Sequence, residues 1–191
     1  MRSASPLGRL LVLATLLLVA GLIGLLAWGM VRSGGKPGGI GINSSLGEVP
    51  AKQEPAREIS LLLFDGTTVT MAGLRGKVVM VDFWASWCPP CREEAPALAQ
   101  VYREFQEKGV EFVGVAVWDS DEEARAYVSK YGITYPSGLD AKGTIAIDYG
   151  VAGIPEKYFI SRDGLVAKRF IGPMTADKLR EVLNALLSAS Q

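Results

Sequence analysis

Residues 78–94 read VVMVDFWASWCPPCREE. The first seven, VVMVDFW, are apolar except for Asp82 and have strand length, the mark of a strand buried on both faces. Beyond them Ala97, Val101 and Phe105 recur at helical spacing until Gly109, so a helix is predicted over 90–108, with Pro96 expected to kink it. Both cysteines of the chain fall at the junction, in Trp87-Cys88-Pro89-Pro90-Cys91. Two thiols separated by two residues at a helix start can close a small disulfide, and the helix N-terminus stabilises a thiolate on the first. A structural disulfide is the alternative. A four-residue loop restrains the unfolded chain little, however, so such a bridge adds little stability. The strand–CxxC–helix order points to redox chemistry.

Upstream, 59–64 and 67–71 flank Asp65-Gly66, a hairpin signal between short strands. Downstream, 110–117 (VEFVGVAV) is a second buried strand and 121–131 a helix whose acidic start suits the positive end of its dipole. A shorter helix covers 141–149. Residues 157–160 and 165–171 flank the turn Arg162-Asp163-Gly164 as a closing hairpin. Residues 175–188 form an amphipathic helix with Leu179, Val182, Leu183 and Leu186 on its apolar face. The order β-β-β-α-β-α-α-β-β-α demands an α/β fold, a mixed sheet with helices on both sides. No internal repeat is visible.

The N-terminal third is different. LLVLATLLLVAGLIGLLAWGMV (residues 10–31) carries no charge and is flanked by Arg9 and Arg32. A helix of that length covers about 33 Å, enough to cross a bilayer core. Trp28 suits an interfacial anchor. A cleaved signal peptide is the rival reading. Its apolar region is usually only about 7–15 residues, and Ala27-Trp28-Gly29 is a poor small-x-small cleavage site, so a retained anchor over 1–32 is expected. Arg2 and Arg9 on one side against Arg32 and Lys36 on the other give little orientation bias; the N-terminus is taken as cytoplasmic and the rest as exported. Residues 33–55 are dense in Gly, Pro and Ser and read as a flexible linker. The folded domain is expected over 56–191.

Composition narrows the chemistry. The chain has 191 residues, 20 Lys+Arg against 20 Asp+Glu, and no His. Balanced charge leaves no footprint for nucleic acid. Without His there is no Ser-His or Cys-His pair, no His-ligated zinc and no haem attachment motif. Two Cys cannot make a four-thiolate metal site in one chain. No metal, cofactor or prosthetic group is implied, because a disulfide itself carries two electrons.

The stretch Val81 to Arg92 resembles the active-site segment of the thioredoxin superfamily, and Gly153-Ile154-Pro155 resembles its cis-proline element. The match is to the membrane-anchored TlpA/ResA/CcmG group, in which an extracytoplasmic thioredoxin-like domain keeps other cysteines reduced. The anchor, Glu94 three residues past Cys91, and Gly150-Val151-Ala152-Gly153-Ile154-Pro155-Glu156 carry that match. Glu156 after the proline resembles the CcmG (DsbE) branch, the cytochrome c maturation reductases. The segment WDSDEE (118–123) does not closely match the central insert of that branch.

Roles follow. Cys88, expected to be the more exposed thiol, is the nucleophile, and Cys91, one turn inside the helix, resolves the mixed disulfide. The resemblance makes Asp82 the buried proton acceptor, its pKa raised by desolvation. Glu94 is the other candidate, since i, i+3 places it on the Cys91 face; a favourable dipole contact is its plainer role. Pro89 and Pro90 lack N–H groups, so a Cys88 thiolate must use the amide of Cys91 and those beyond it. A higher Cys88 pKa and a more reducing couple are expected. Ile154 and cis Pro155 would offer backbone to an extended substrate. Trp87 would shield the thiols and touch the partner; Trp84 reads as core. Glu156 either biases substrate choice or is a surface carboxylate.

The resemblance implies a thiol–disulfide oxidoreductase, single-pass in the bacterial inner membrane with its catalytic domain on the periplasmic side. It reduces a disulfide in a protein substrate, apocytochrome c foremost, and is itself supplied by a membrane-embedded thiol reductant. Nothing demands more than a monomer. A TlpA-like general or copper-assembly reductase is the alternative within that chemistry. A module holding Cu(I) on Cys88 and Cys91 is the alternative outside it, though no Met lies close in sequence. A peroxiredoxin-like peroxidase is disfavoured, since its reactive Cys stands in a different motif.

Overall fold

The computed structural model describes residues 6–32, 41–43, 47–50 and 53–189. The chain divides into two compact units, Met1–Gly41 and Ile42–Gln191. In the first, helix α1 (Pro6–Arg32) has 27 residues, and its described large apolar side chains, among them Leu11, Leu17, Leu22 and Trp28, are exposed. No helix is long and apolar enough to cross a membrane among the described residues. The backbone of α1 extends about 40 Å at the usual rise.

The second unit carries the sheet. Strands β1 (Gly41–Ile42) and β2 (Gly47–Val49) precede a hairpin of β3 (Ser60–Leu62) and β4 (Thr68–Thr70). Next come β5 (Val78–Trp84), α2 (Pro89–Phe105), β6 (Val110–Ala116) and α3 (Asp121–Lys130). Then follow β7 (Ser137–Leu139), α4 (Thr144–Tyr149), β8 (Gly153–Ile154), β9 (Glu156–Ile160), β10 (Val166–Ile171) and α5 (Ala176–Ala189).

Six strands form one mixed sheet in the order β2-β10-β9-β5-β6-β7. β5 pairs parallel with β6 and antiparallel with β9, and all seven of its residues are buried. That matches a central strand between helical layers, where apolar runs replace alternation. Helix α2 continues through Pro96 to Phe105 and tightens into a 3-10 turn ending at Gly109, whose φ of 81° suits glycine. α2 packs against α5 and β6, burying Leu98, Val101 and Phe105.

Four strands escaped the sequence reading: β1 and β8, which pair with each other, and β2 and β7, which join the main sheet. β7 is a Ser-Gly-Leu segment that becomes a strand by pairing parallel with β6. β2 lies within the stretch read as a linker, where it adds antiparallel to β10, with Glu48 bonded to Lys168 and near Lys178. Both owe their conformation to distant partners rather than to local propensity.

Gly138 in β7 is a point of close approach: a Cβ there would lie 2.2 Å from the Leu62 carbonyl oxygen. Backbone cannot give way as a side-chain tip can, so Gly138→Ala should cost about 3 kcal/mol. A melting temperature lower by roughly 6–12 °C checks this; an unchanged one contradicts the packing of β7 on the β3–β4 hairpin.

Candidate active site

The disulfide of Cys88 and Cys91 sits where β5 hands over to α2, with the two Cα atoms 5.3 Å apart. Cys88 is the N-cap of α2, and Pro89 and Pro90 fill its first two positions, where a missing N–H costs least. The Cys91 N–H donates to Cys88 Sγ at 3.3 Å. The expectation of an exposed Cys88 is corrected: both cysteines are 0% exposed. Trp87, at 39%, and Pro89 are the exposed members of the motif. Its indole Nε1 donates to the Trp118 carbonyl at 2.8 Å.

Residues 118–119 hold the loop before the motif. Asp119 accepts from the Ser86 N–H at 2.5 Å and from the Ser86 hydroxyl at 2.9 Å. Trp118 has φ 53°, an unfavourable conformation for a bulky residue. Its carbonyl is thereby turned to Trp87. On the inner side, the Tyr127 hydroxyl donates to the Cys91 carbonyl at 2.7 Å, and its ring stacks on Trp84 at 4.2 Å. Sequence reasoning missed Asp119, Trp118 and Tyr127; the acidic run after β6 hid the first two among surface charges.

Between β5, α2 and β9 lies a buried charge cluster. Asp82 and Glu94 are 2% and 4% exposed, and Lys157 of β9 is 0% exposed. β5–β9 register sets Lys157 opposite Asp82, with Nζ 3.6 Å from Asp82 Oδ1. Lys157 Nζ also donates to Glu94 Oε1 and to the Gly172 carbonyl, the latter at 3.3 Å. Glu94 Oε2 accepts from the Met174 N–H at 2.7 Å, while Asp82 Oδ1 has no hydrogen-bond partner among the described residues. Burial raises both carboxyls, Asp82 above the usual range and Glu94 to about 7, against the opposing pull of Lys157. The structure thus brings Asp82 and Glu94 together instead of choosing between them. Sequence reasoning did not find Lys157, because a lysine in a short strand reads as a solvated edge residue.

The substrate-side residues sort differently. The Ile154–Pro155 bond is cis. Ile154 is fully buried, and its carbonyl already accepts from the Asn43 N–H at 2.6 Å; the Asn43 side chain donates to the Pro155 carbonyl at 3.3 Å. Glu156 is 1% exposed and paired with Arg169 at 2.6 Å, so its carboxylate lies inside the fold and not on the surface beside Trp87.

Comparison with known proteins places this geometry. Residues 53–169 match the model of the AhpC/TSA family. The thiol-disulfide oxidoreductase ResA of Bacillus anthracis is 32% identical over 122 residues, covering 64% of this chain and 70% of that protein. The thiol:disulfide interchange protein HelX of Rhodobacter capsulatus is 36% identical over 123 residues, covering 63% and 68%. Among solved structures, a thioredoxin-family thiol:disulfide interchange protein from Chlorobium tepidum superposes with TM-score 0.67 at 31% identity, over 73% of this chain and 99% of that one. A secreted Mycobacterium tuberculosis disulfide oxidoreductase, described as homologous to DsbE, gives 0.61 at 32%, over 67% and 96%.

The raised Glu94 carboxyl has a thermodynamic consequence. Between about pH 4.5 and 7 the native oxidised form holds a proton that the unfolded chain has released, so stability from this group falls as pH rises through that window. Glu94→Gln removes the dependence. Denaturant unfolding at about pH 5 and about pH 8 should show the variant gaining on the wild type at the higher pH; a pH-independent difference would contradict burial as the cause.

A disulfide at a strand-to-helix junction, a cis proline, a thioredoxin-like sheet and these relatives agree: the chain belongs to the AhpC/TSA family of thioredoxin-like proteins and is a thiol–disulfide oxidoreductase of the ResA/HelX/DsbE type.

Proposed function

We propose that the protein works as a membrane-tethered, extracytoplasmic reductant, with the cysteine pair of apocytochrome c before haem attachment as its client. The observation that carries the direction of electron flow is the poor supply of donors at Cys88. Pro89 and Pro90 offer none, and Cys91 N–H stands at 3.3 Å. A thiolate with so little stabilisation keeps a higher pKa, and a dithiol that is not favoured as thiolate gives a more reducing couple. The client reading is supported by Glu156 after the cis proline, which resembles the cytochrome c maturation branch. The tether is supported by the uncharged run over 10–31 and the helical backbone of α1. Residues from Ile42 onward then face the periplasm of a bacterial inner membrane, and a membrane-embedded thiol reductant recharges the disulfide.

The test is the reduction potential of the full chain in detergent, followed by the fluorescence of Trp84 and Trp87 against a thiol/disulfide buffer. A value below about −200 mV, towards the ~−270 mV of thioredoxin, is expected; one near the ~−120 mV of DsbA would make the protein a disulfide donor. For the client, a Cys91→Ser chain should trap a CxxCH-containing apocytochrome peptide as a mixed disulfide in preference to other exported disulfide peptides. Equal trapping would point to a general reductase.

Any extended client that pairs with Ile154 competes with Asn43 for its carbonyl. Asn43→Pro removes the backbone donor, so the rate of reaction with a disulfide peptide should rise by about 3- to 10-fold, the effect of losing one hydrogen bond of about 1 kcal/mol. An unchanged rate would mean that clients do not use that carbonyl.

A further inference from the structure

The backbone edge that an extended client would use is already taken, by residues of the same chain. β9 pairs with β5 as far as Glu156 opposite Phe83, so the Ile154–Pro155 peptide lies at the end of β5 from which the CxxC loop leaves. There the Asn43 N–H donates to the Ile154 carbonyl at 2.6 Å, and the Asn43 side chain to the Pro155 carbonyl at 3.3 Å. One residue thus answers two consecutive carbonyls, with its backbone and with its amide, as a seated strand end does.

A little further along, the chain is held in another way. β2 lies antiparallel on β10 with Glu48 opposite Phe170. The Glu48 carboxylate reaches Lys168 through Oε1 and Lys178 through Oε2, the latter at 3.7 Å. Among the described residues, none of 42–43 or 47–49 belongs to the buried core, and Ile42 is 47% exposed. Backbone bonds and one exposed carboxylate hold these residues, and water or another strand can replace both. From Glu54 onward the fastening is firmer. The Val166 N–H donates to the Glu54 carbonyl and the Ala56 N–H to the Gly164 carbonyl, both at 2.9 Å, and Ile59 and Leu61 enter the core. Release of β2 and Asn43 would therefore stop short of Glu54 and leave the core intact.

We propose that Ile42, Asn43 and β2 act as a strap over the client edge, with Glu48 as its latch. This inference rests on the reading that clients pair with Ile154, and it adds what holds that edge at rest. A client strand that takes the Ile154 carbonyl exchanges one backbone bond for another, so that bond alone yields little net gain. It must also break the latch, leaving Lys168 without its carboxylate. The strap therefore favours disulfides carried on a segment extended and free enough to form several backbone bonds, and it disfavours those held rigidly in a folded partner. A small disulfide compound needs no backbone partner and is indifferent to it.

The experiment follows single-turnover oxidation of the reduced full chain in detergent by two oxidants, an uncharged extended disulfide peptide and hydroxyethyl disulfide. Glu48→Gln should speed the reaction with the peptide by about 2- to 5-fold, the range that exposed ion pairs set, and leave the reaction with the small disulfide unchanged. Salt at about 0.5 M should speed the wild type with the peptide and do nothing to Glu48→Gln, which has no ion pair left to screen. A Glu48→Gln chain that reacts with the peptide at the wild-type rate overturns the latch. So does equal acceleration with both oxidants, which would put the effect on the thiols.

Amide exchange of Asn43 in the peptide mixed disulfide of a Cys91→Ser chain separates the strap from the reading beneath it. An Asn43 amide that exchanges faster there than in the free protein, together with the Glu48→Gln acceleration, supports strap and latch. Faster exchange with no effect of Glu48→Gln keeps the client edge and removes the latch. An Asn43 amide as protected as in the free protein means that clients do not use the edge, and the strap falls with that reading. The reductant assignment survives that result, because the reduction potential is measured without a client.

Discussion

Strand β5 carries a single charge, Asp82, through a layer sealed from water, and the antiparallel register with β9 decides whether that charge can be there. A slip of one residue would turn Lys157 to the other face and leave the carboxylate against apolar side chains. The cost of such an orphaned buried charge is several kcal/mol, comparable with the whole stability of a small domain. Register, burial and the protonation of the buried carboxyls are therefore one constraint. β9 follows directly on the cis Pro155, so the same register also fixes the position of the Ile154–Pro155 peptide.

The second constraint is the seating of α2. Its N-cap is the cysteine itself, and two prolines occupy positions where no intrahelical partner exists for an N–H. That arrangement leaves one amide within reach of Cys88 Sγ where an ordinary helix start would offer several. The loop is held instead from outside, by Asp119 on Ser86 and by the Trp118 carbonyl on Trp87. The rigidity of the loop and the supply of donors to Cys88 thus depend on different residues.

Much of this was readable in the sequence where the cause was local. β5, α2 and the CxxC junction announce themselves through apolar period, Gly109 and the spacing of the thiols, and the mixed sheet follows from element order. What was not readable depends on partners far along the chain. Ser137–Leu139 becomes a strand through β6, and Gly47–Val49 through β10. Glu156 and Lys157 look like surface charges, yet both are buried because Arg169, Asp82 and Glu94 meet them. The burial of Cys88 belongs to the same class: exposure is a property of what packs over a residue.

Such hidden pairs explain why Asp82 and Glu94 could not be ranked as proton acceptors from sequence. The question assumed two independent acids, whereas the structure places both on one ammonium, so their protons belong to the cluster. Asp82 lacks a hydrogen bond on Oδ1, and Glu94 has the Met174 N–H as well as Lys157. Glu94 is therefore the better hydrogen-bonded of the two carboxyls, and burial raises both.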